Sequence, residues 1–133
     1  MSSQNNIVWL SENLVRAIHE AQIAEHGGFA GVRDSGLLES ALAPQMVANY
    51  SDDAAPQLAA LYAIGIIKNR PFIDGNKRVG AVVLETFLVL NGCELVANDA
   101  QLLRTVLSLA ASEMREDHFT SWLAKNVRPT GNP

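Results

Sequence analysis

The chain has 133 residues, 48% of them apolar and 18% charged, with a formal net charge of −4 and a single cysteine, Cys93. That length suits one domain with one sizeable core, and the balance of apolar to charged residues rules out a disordered chain. The acidic balance rules out the bulk basic footprint of a direct nucleic-acid binder, no apolar run is long enough to span a bilayer, and a lone cysteine rules out an intrachain disulfide and suits a reducing compartment. Residues 1–6 are polar and lack the charged and apolar regions of a signal peptide, so a cytoplasmic, bacterial-type monomer is expected.

Residues 1–6 read as a frayed end, followed by a short apolar run of extended character, Ile7-Val8-Trp9-Leu10. Ser11 is a suitable N-cap. Leu14, Val15, Ile18, Ala21 and Ile23 follow at helical spacing as far as Gly27-Gly28, glycine being the usual residue just past a helix end. His19 and His26 lie seven residues apart on this helix. That is too far for the i, i+4 pairing of metal-binding helices, so they read as solvent-facing or cap histidines. Asp34 or Ser35 can cap a short helix over 36–43 that buries Leu37, Leu38, Ala41 and Leu42 and stops at Pro44. Residues 45–53 carry no clear pattern and read as a surface loop or short hairpin.

Asp52 or Asp53 can cap the next helix, with Pro56 in the tolerated first turn; residues 58–67 are apolar nearly all round, which places this helix at the centre. A second apolar helix covers 76–90, with Val79, Val82, Val83, Phe87 and Leu90 as its core, and ends at Asn91-Gly92. Gly65 and Gly80 predict close helix–helix contact. Residues 93–97 alternate weakly and can be extended. Asn98 caps a helix over 99–111 with Leu102, Leu103, Val106, Leu107 and Ala110 inward. A last amphipathic helix, after 113–117, turns Phe119, Trp122, Leu123 and Val127 inward, and 129–133 read as a flexible tail. The whole predicts an all-α single domain over 1–133 with about six helices.

The two apolar helices are joined by Asn69-Arg70-Pro71-Phe72-Ile73-Asp74-Gly75-Asn76-Lys77-Arg78, in which Pro71 and Gly75 break the first pattern and open the second. Gly75, Asn76, Lys77 and Arg78 therefore fall at a helix start. Unpaired N–H groups and the positive pole of the helix dipole make such a start an anion site, phosphate above all. Lys68, Arg70, Lys77 and Arg78 form a basic spot against the acidic background, and Asp74 adds a carboxylate that can hold a divalent metal. Phe72 reads as a core anchor. The plainer alternative is that Asp, Gly and Asn serve turn geometry alone.

This run resembles the signature of the Fic/Doc (Fido) superfamily, His-x-Phe-x-Asp-(Ala/Gly)-Asn-Lys-Arg, and its Doc (death-on-curing) branch above all. Phe72, Asp74, Gly75, Asn76, Lys77 and Arg78 match, and Arg70 stands where the family has its catalytic His. The stretch 31–42 looks like a second Doc-type signature, although Asp34 and Ser35 ahead of a helix need no reason beyond capping. The Fic branch continues Gly-Asn-Gly-Arg-x-x-Arg. Here Lys77 occupies the second glycine's place and Ala81 that of the later Arg, and both departures point to Doc.

The resemblance implies a Fido helical bundle whose segment between the second and third helices is a flap that docks the target's backbone. It implies a toxin of a toxin–antitoxin pair that uses ATP and Mg2+ to phosphorylate a threonine of elongation factor Tu, blocking translation. An antitoxin's peptide segment would fold against it. By this likeness Asp74 holds Mg2+, the backbone of Gly75 and Asn76 approaches the phosphates, the Asn76 amide donates to them, and Lys77 and Arg78 neutralise charge; Lys68, from the basic spot, is added to the phosphate-binding set on its charge alone. A guanidinium accepts no proton at usable pH, so Arg70 at the His position implies a nearly inactive chain. The alternatives are AMP transfer to a protein hydroxyl, as in the Fic branch, and a non-catalytic module that captures a peptide.

Overall fold

Two nearly all-apolar helices set the fold. The computed structural model describes residues 7–44 and 54–130. In it α3 (Ala55–Asn69) and α4 (Asn76–Leu90) pack against each other as a hairpin. Around them lie α1 (Glu12–His26) on α4, α2 (Ser35–Ala41) on α3, α5 (Asp99–Ala110) on both, and α6 (Glu116–Lys125) on α3. Six helices among the described residues bear out the expected all-α fold. They are joined by one small sheet in which β1 (Cys93–Leu95) pairs antiparallel with β2 (Val127–Pro129), Cys93 opposite Pro129 and Leu95 opposite Val127. No helix among the described residues is long and apolar enough to cross a membrane.

The core runs along the hairpin: Leu58, Tyr62, Ile66 and Ile67 of α3 meet Val79, Val83, Leu84, Phe87 and Leu88 of α4, all buried. Both helix glycines sit where a side chain would collide. A Cβ on Gly65 would lie 2.9 Å from the Ala41 Cβ, and one on Gly80 would lie 2.7 Å from Ile67 Cγ1. The expected close contacts are therefore α2 on α3 and α3 on α4. The segment before α1 is extended. Leu10 N–H donates to the Tyr62 hydroxyl at 3.1 Å. The Asn91 side chain clasps Val8, accepting its N–H at 2.8 Å and donating to its carbonyl at 3.0 Å, and also donates to Phe87 O at 2.8 Å.

Several expectations change. On α1 it is His19, not Ala21, that turns inward: Val15 and His19 are buried one turn apart and Ala21 is exposed. On α5 the buried face is Leu102, Thr105, Val106 and Leu109, while Leu103 and Leu107 are 44% and 45% exposed. That helix carries two neighbouring apolar stripes, and only one can face the core. Val127 is not on the last helix, which stops at Lys125; with Pro129 it forms a strand, and Thr130 N–H bonds to Gly92 O at 3.0 Å, so the tail is held as far as residue 130. Proline is tolerated there because its nitrogen faces the open side of the two-stranded sheet, the cross-strand bond coming from Thr130 N–H instead. Helix α2 is shorter than 36–43. Ala54, with no side-chain acceptor, takes the cap position of α3. Asp52, Asp53 and the expected flap over 45–53 lie outside the described residues, as do the ends, 1–6 and 131–133.

Candidate functional site

The turn between α3 and α4 is fixed by the loop that follows α1. Helix α3 ends on Arg70, whose backbone is left-handed (φ 52°, ψ 57°), an uncommon state for a residue with a Cβ. The Arg33 side chain secures it, Nε donating to Arg70 O and Nη2 to Asn69 O, each at 2.7 Å. A cation thereby covers the last carbonyls of α3, where the helix dipole is negative. Pro71 O accepts the N–H groups of Arg33 and Asp34 at 2.7 and 3.1 Å, and Ile73 N–H donates to Gly31 O at 3.0 Å. Asp34 also caps α2, accepting Leu37 N–H at 3.0 Å. The second signature-like stretch is thus a capped helix, as the plainer reading has it, and in addition the strap that holds the first.

Phe72 is 1% exposed, as a core anchor should be, and its ring lies flat on His19 with centroids 4.0 Å apart and planes 10° from parallel. The Asn76 side chain clamps the Phe72 backbone from both sides, accepting its N–H at 3.0 Å and donating to its carbonyl at 2.9 Å. This corrects the role expected of the Asn76 amide. It is turned inward to shape the turn, and what Asn76 presents at the helix start is its backbone N–H.

Asp74 projects from the turn with a fixed carboxylate. Its Oδ1 accepts Gly75 N–H at 2.9 Å and its Oδ2 accepts Phe29 N–H at 3.2 Å. Its own carbonyl lies 3.0 Å from His19 Nε2, which must carry the proton because a carbonyl can only accept. Gly75, left-handed at φ 80°, precedes α4 and gives it no side-chain cap. The backbone ladder of α4 begins with Val79 N–H to Gly75 O at 2.9 Å, so the N–H groups of Asn76, Lys77 and Arg78 have no acceptor within the helix.

These groups converge on a cavity of about 600 Å³. Arg70, Asp74, Gly75, Asn76, Lys77 and Arg78 line it together with Ile67 and Ile73, and Leu103, Leu107 and Ala110 of α5 close it with the apolar stripe that the core did not take. A neighbouring groove of about 600 Å³ continues past Lys77 along Leu103, Arg104 and Leu107. Lys68 is not part of the site. Its Nζ donates to Ser112 Oγ at 2.8 Å, and it lines a separate depression with Met114 and Asp117.

No group of three or more His, Cys, Asp or Glu able to hold a metal exists among the described residues. The donor set is one carboxylate, with one backbone bond to each oxygen, beside an open helix start and three cations. That suits Mg2+, which is commonly held by one or two carboxylates plus the phosphates of its substrate. The residues fit a metal that arrives with phosphate.

The sequence reading missed His19, Gly28, Phe29 and Arg33 as parts of the site. The signals present were the polar residue on the buried stripe of α1 and a second glycine after Gly27. The donor to Asp74 is a backbone N–H and leaves no mark in the sequence.

Fold and site together define a mostly helical domain built around an uncapped helix start that carries Asp74, Lys77 and Arg78 beside it. The Fic/DOC family model matches residues 9–88, which include both interlocked loops, and the chain belongs to that family. It is also similar to the toxin Doc of Mycolicibacterium smegmatis, 40% identical over 75 residues that make up 54% of this chain and 58% of that protein. The chain thus spans a little over half the length of that relative.

Proposed function

We propose that this chain is a Doc-type toxin whose α4 start binds the phosphates of ATP, with Mg2+ on Asp74. The family reaction it is built for would be transfer of the γ-phosphate to a threonine hydroxyl of elongation factor Tu. The observation that carries this reading is the convergence of Arg70, Asp74, Lys77 and Arg78 on one cavity at an uncapped helix start. Bound Mg2+ would neutralise phosphate charge. The protein's own contribution is positional and electrostatic. The backbone N–H groups of Asn76, Lys77 and Arg78 point at an anion, and Gly75 leaves room for it to approach. Lys77 supplies a point charge and Arg78 a planar fork for developing negative charge.

Arg70 is exposed and lines the same cavity. It can bind phosphate but cannot take a proton from an attacking hydroxyl, and loss of a general base costs about two to four orders of magnitude in rate. We therefore read this copy as a nearly inactive transferase. The likeness to a Doc toxin, with Lys77 and Ala81 at the two places where the Fic branch differs, favours phosphate over AMP transfer. A peptide segment of an antitoxin is the partner this reading brings with it.

The test is to incubate the Arg70→His protein, beside the chain as it stands, with ATP, Mg2+ and elongation factor Tu, and to weigh the target. A phosphate-sized gain only with the histidine form supports the proposal. A nucleotide-sized gain moves the chain to AMP transfer, and no gain with either form overturns the catalytic reading. Mg2+-dependent ATP binding that Asp74→Ala abolishes would separate an enzyme site from a non-catalytic peptide-binding module.

A further inference from the structure

We infer that His19 and the Gly28–Phe29 turn are positioning residues, the first fixing the backbone of Asp74 and the second the direction of its carboxylate, so that α1 and the loop after it govern metal-bound phosphate at the start of α4. The inference rests on the nucleotide reading above and assigns a role to groups which that reading leaves unused.

Asp74 is exposed, and an exposed aspartate ordinarily samples several rotamers. Here two bonds hold the carboxylate, Gly75 N–H on Oδ1 and Phe29 N–H on Oδ2, and a third, His19 Nε2–H on the backbone carbonyl, holds the main chain that carries it. Two of the three donors come from α1 and its loop, far away in sequence. His19 is itself immobilised, being 3% exposed and stacked on Phe72. An apolar ring would fill that space and stack equally well. What imidazole adds is the donor to Asp74.

The same reasoning applies to Gly28. Gly27, at φ 82° and with open space around it, already ends α1. A second glycine is not needed to stop the helix. A Cβ on Gly28, however, would lie 2.7 Å from Asp74 Oδ2 and 3.2 Å from its Cγ. Only glycine lets the chain pass close enough for Phe29 N–H to reach the carboxylate. Magnesium demands near-ideal octahedral geometry, and groups that orient a metal's ligands typically change its affinity about 10- to 100-fold when removed.

The experiment titrates the full chain with ATP by calorimetry, with and without Mg2+, for the parent, His19→Phe, His19→Gln and Gly28→Ala proteins. His19→Phe keeps the stack and loses the donor; His19→Gln places an amide N–H where Nε2–H was. We expect His19→Phe and Gly28→Ala to lose about tenfold or more of the Mg2+-dependent gain in ATP affinity while Mg2+-free ATP binding stays within about twofold, and His19→Gln to recover most of the loss. An undiminished Mg2+ gain in His19→Phe overturns the inference. So does an equal fall with and without Mg2+, which would mark a merely structural role. The His19 pair decides the matter even where Gly28→Ala fails to fold, since its backbone at φ 119° disfavours any side chain. A parent whose ATP affinity ignores Mg2+ removes the metal reading, and this inference with it; a parent that needs Mg2+ beside unaffected variants removes the inference alone.

Discussion

At the start of α5, Asn98 accepts Gln101 N–H at 2.8 Å, Gln101 returns a bond to Asn98 N–H at 2.9 Å, and Asp99 stands in the first turn. At the start of α4 the cap position is Gly75, which has no side chain to offer, and the first turn carries Lys77 and Arg78 in place of acids. The first arrangement satisfies a helix end and complements its dipole; the second leaves the end open and adds like charge to its positive pole. Glycine in place of a good cap costs roughly a few tenths of a kcal/mol, which α4 can bear because its buried face along α3 stabilises it far more. Among the described helices α3 and α6 also start without a side-chain cap, at Ala54 and Arg115, but α4 alone combines an uncapped start with a lysine and an arginine in its first turn, the combination that favours an anion, whereas α1, α2 and α5 are closed by Ser11, Asp34 and Asn98.

The contrast can be broken most sharply at Asn76. In Asn76→Ala the Phe72 N–H and carbonyl lose their buried partners, so stability should fall by about 3 kcal/mol, read as a drop in the urea midpoint. Next, pyrophosphate at about a hundred times its dissociation constant should stabilise the protein by about 2.7 kcal/mol, measured as a rise in Tm. Lys77→Ala and Arg78→Ala should each cut that rise, and Asn98→Ala should leave it intact. An equal loss in Asn98→Ala would mean that the two helix starts do not differ in the way described. Asn98→Ala should itself cost about 1 kcal/mol.

The smallest effect concerns Glu85, on α4. Partial burial first, and the charge of Asp99 second, push its carboxyl above the ordinary glutamate range. The folded state thus holds that proton more firmly than the unfolded one, and stability is lost as pH rises through the folded-state value. Glu85→Gln should stabilise the protein near pH 7 by about 0.5 kcal/mol or less, since the group is half-exposed and screened, and the advantage should vanish near pH 3. Thermal melts at the two pH values check both the sign and the disappearance.

The helices were readable because their ends carry chemistry: Ser11, Asp34 and Asn98 as caps, Gly27 and Gly92 as stops, Pro71 and Gly75 around the central turn. Gly65 and Gly80 announced the close contacts. Weak alternation marked 93–97 as extended, and β1 lies there, but β2 and its pairing were not readable, because a three-residue strand has too few positions for alternation and lies far along the chain from its partner. Leu103 and Leu107 misled because two adjacent apolar stripes look like one wide buried face until another element claims one of them. Within the site, the residues that point into the cavity were found by type and spacing. Those that hold them were not: a buried imidazole looks like any surface histidine in sequence, and Phe29 acts through its backbone. Lys68 was drawn in by charge and proximity in sequence, but it lies on the side of α3 that faces Ser112.

The grip of Asn91 on Val8 has a consequence for how the molecule ages. An asparagine followed by glycine is the pair that most readily loses its side-chain amide, because the next backbone nitrogen can attack it. In this protein that amide donates to both Val8 O and Phe87 O, which withdraws it from the attack. Hydrolysis there would exchange the donor for a carboxylate at the negative end of α4. It would undo the clasp on the extended segment before α1 and add a charge that the helix disfavours. The hold on Val8 is therefore tied to a single amide at the far end of the central hairpin from the site.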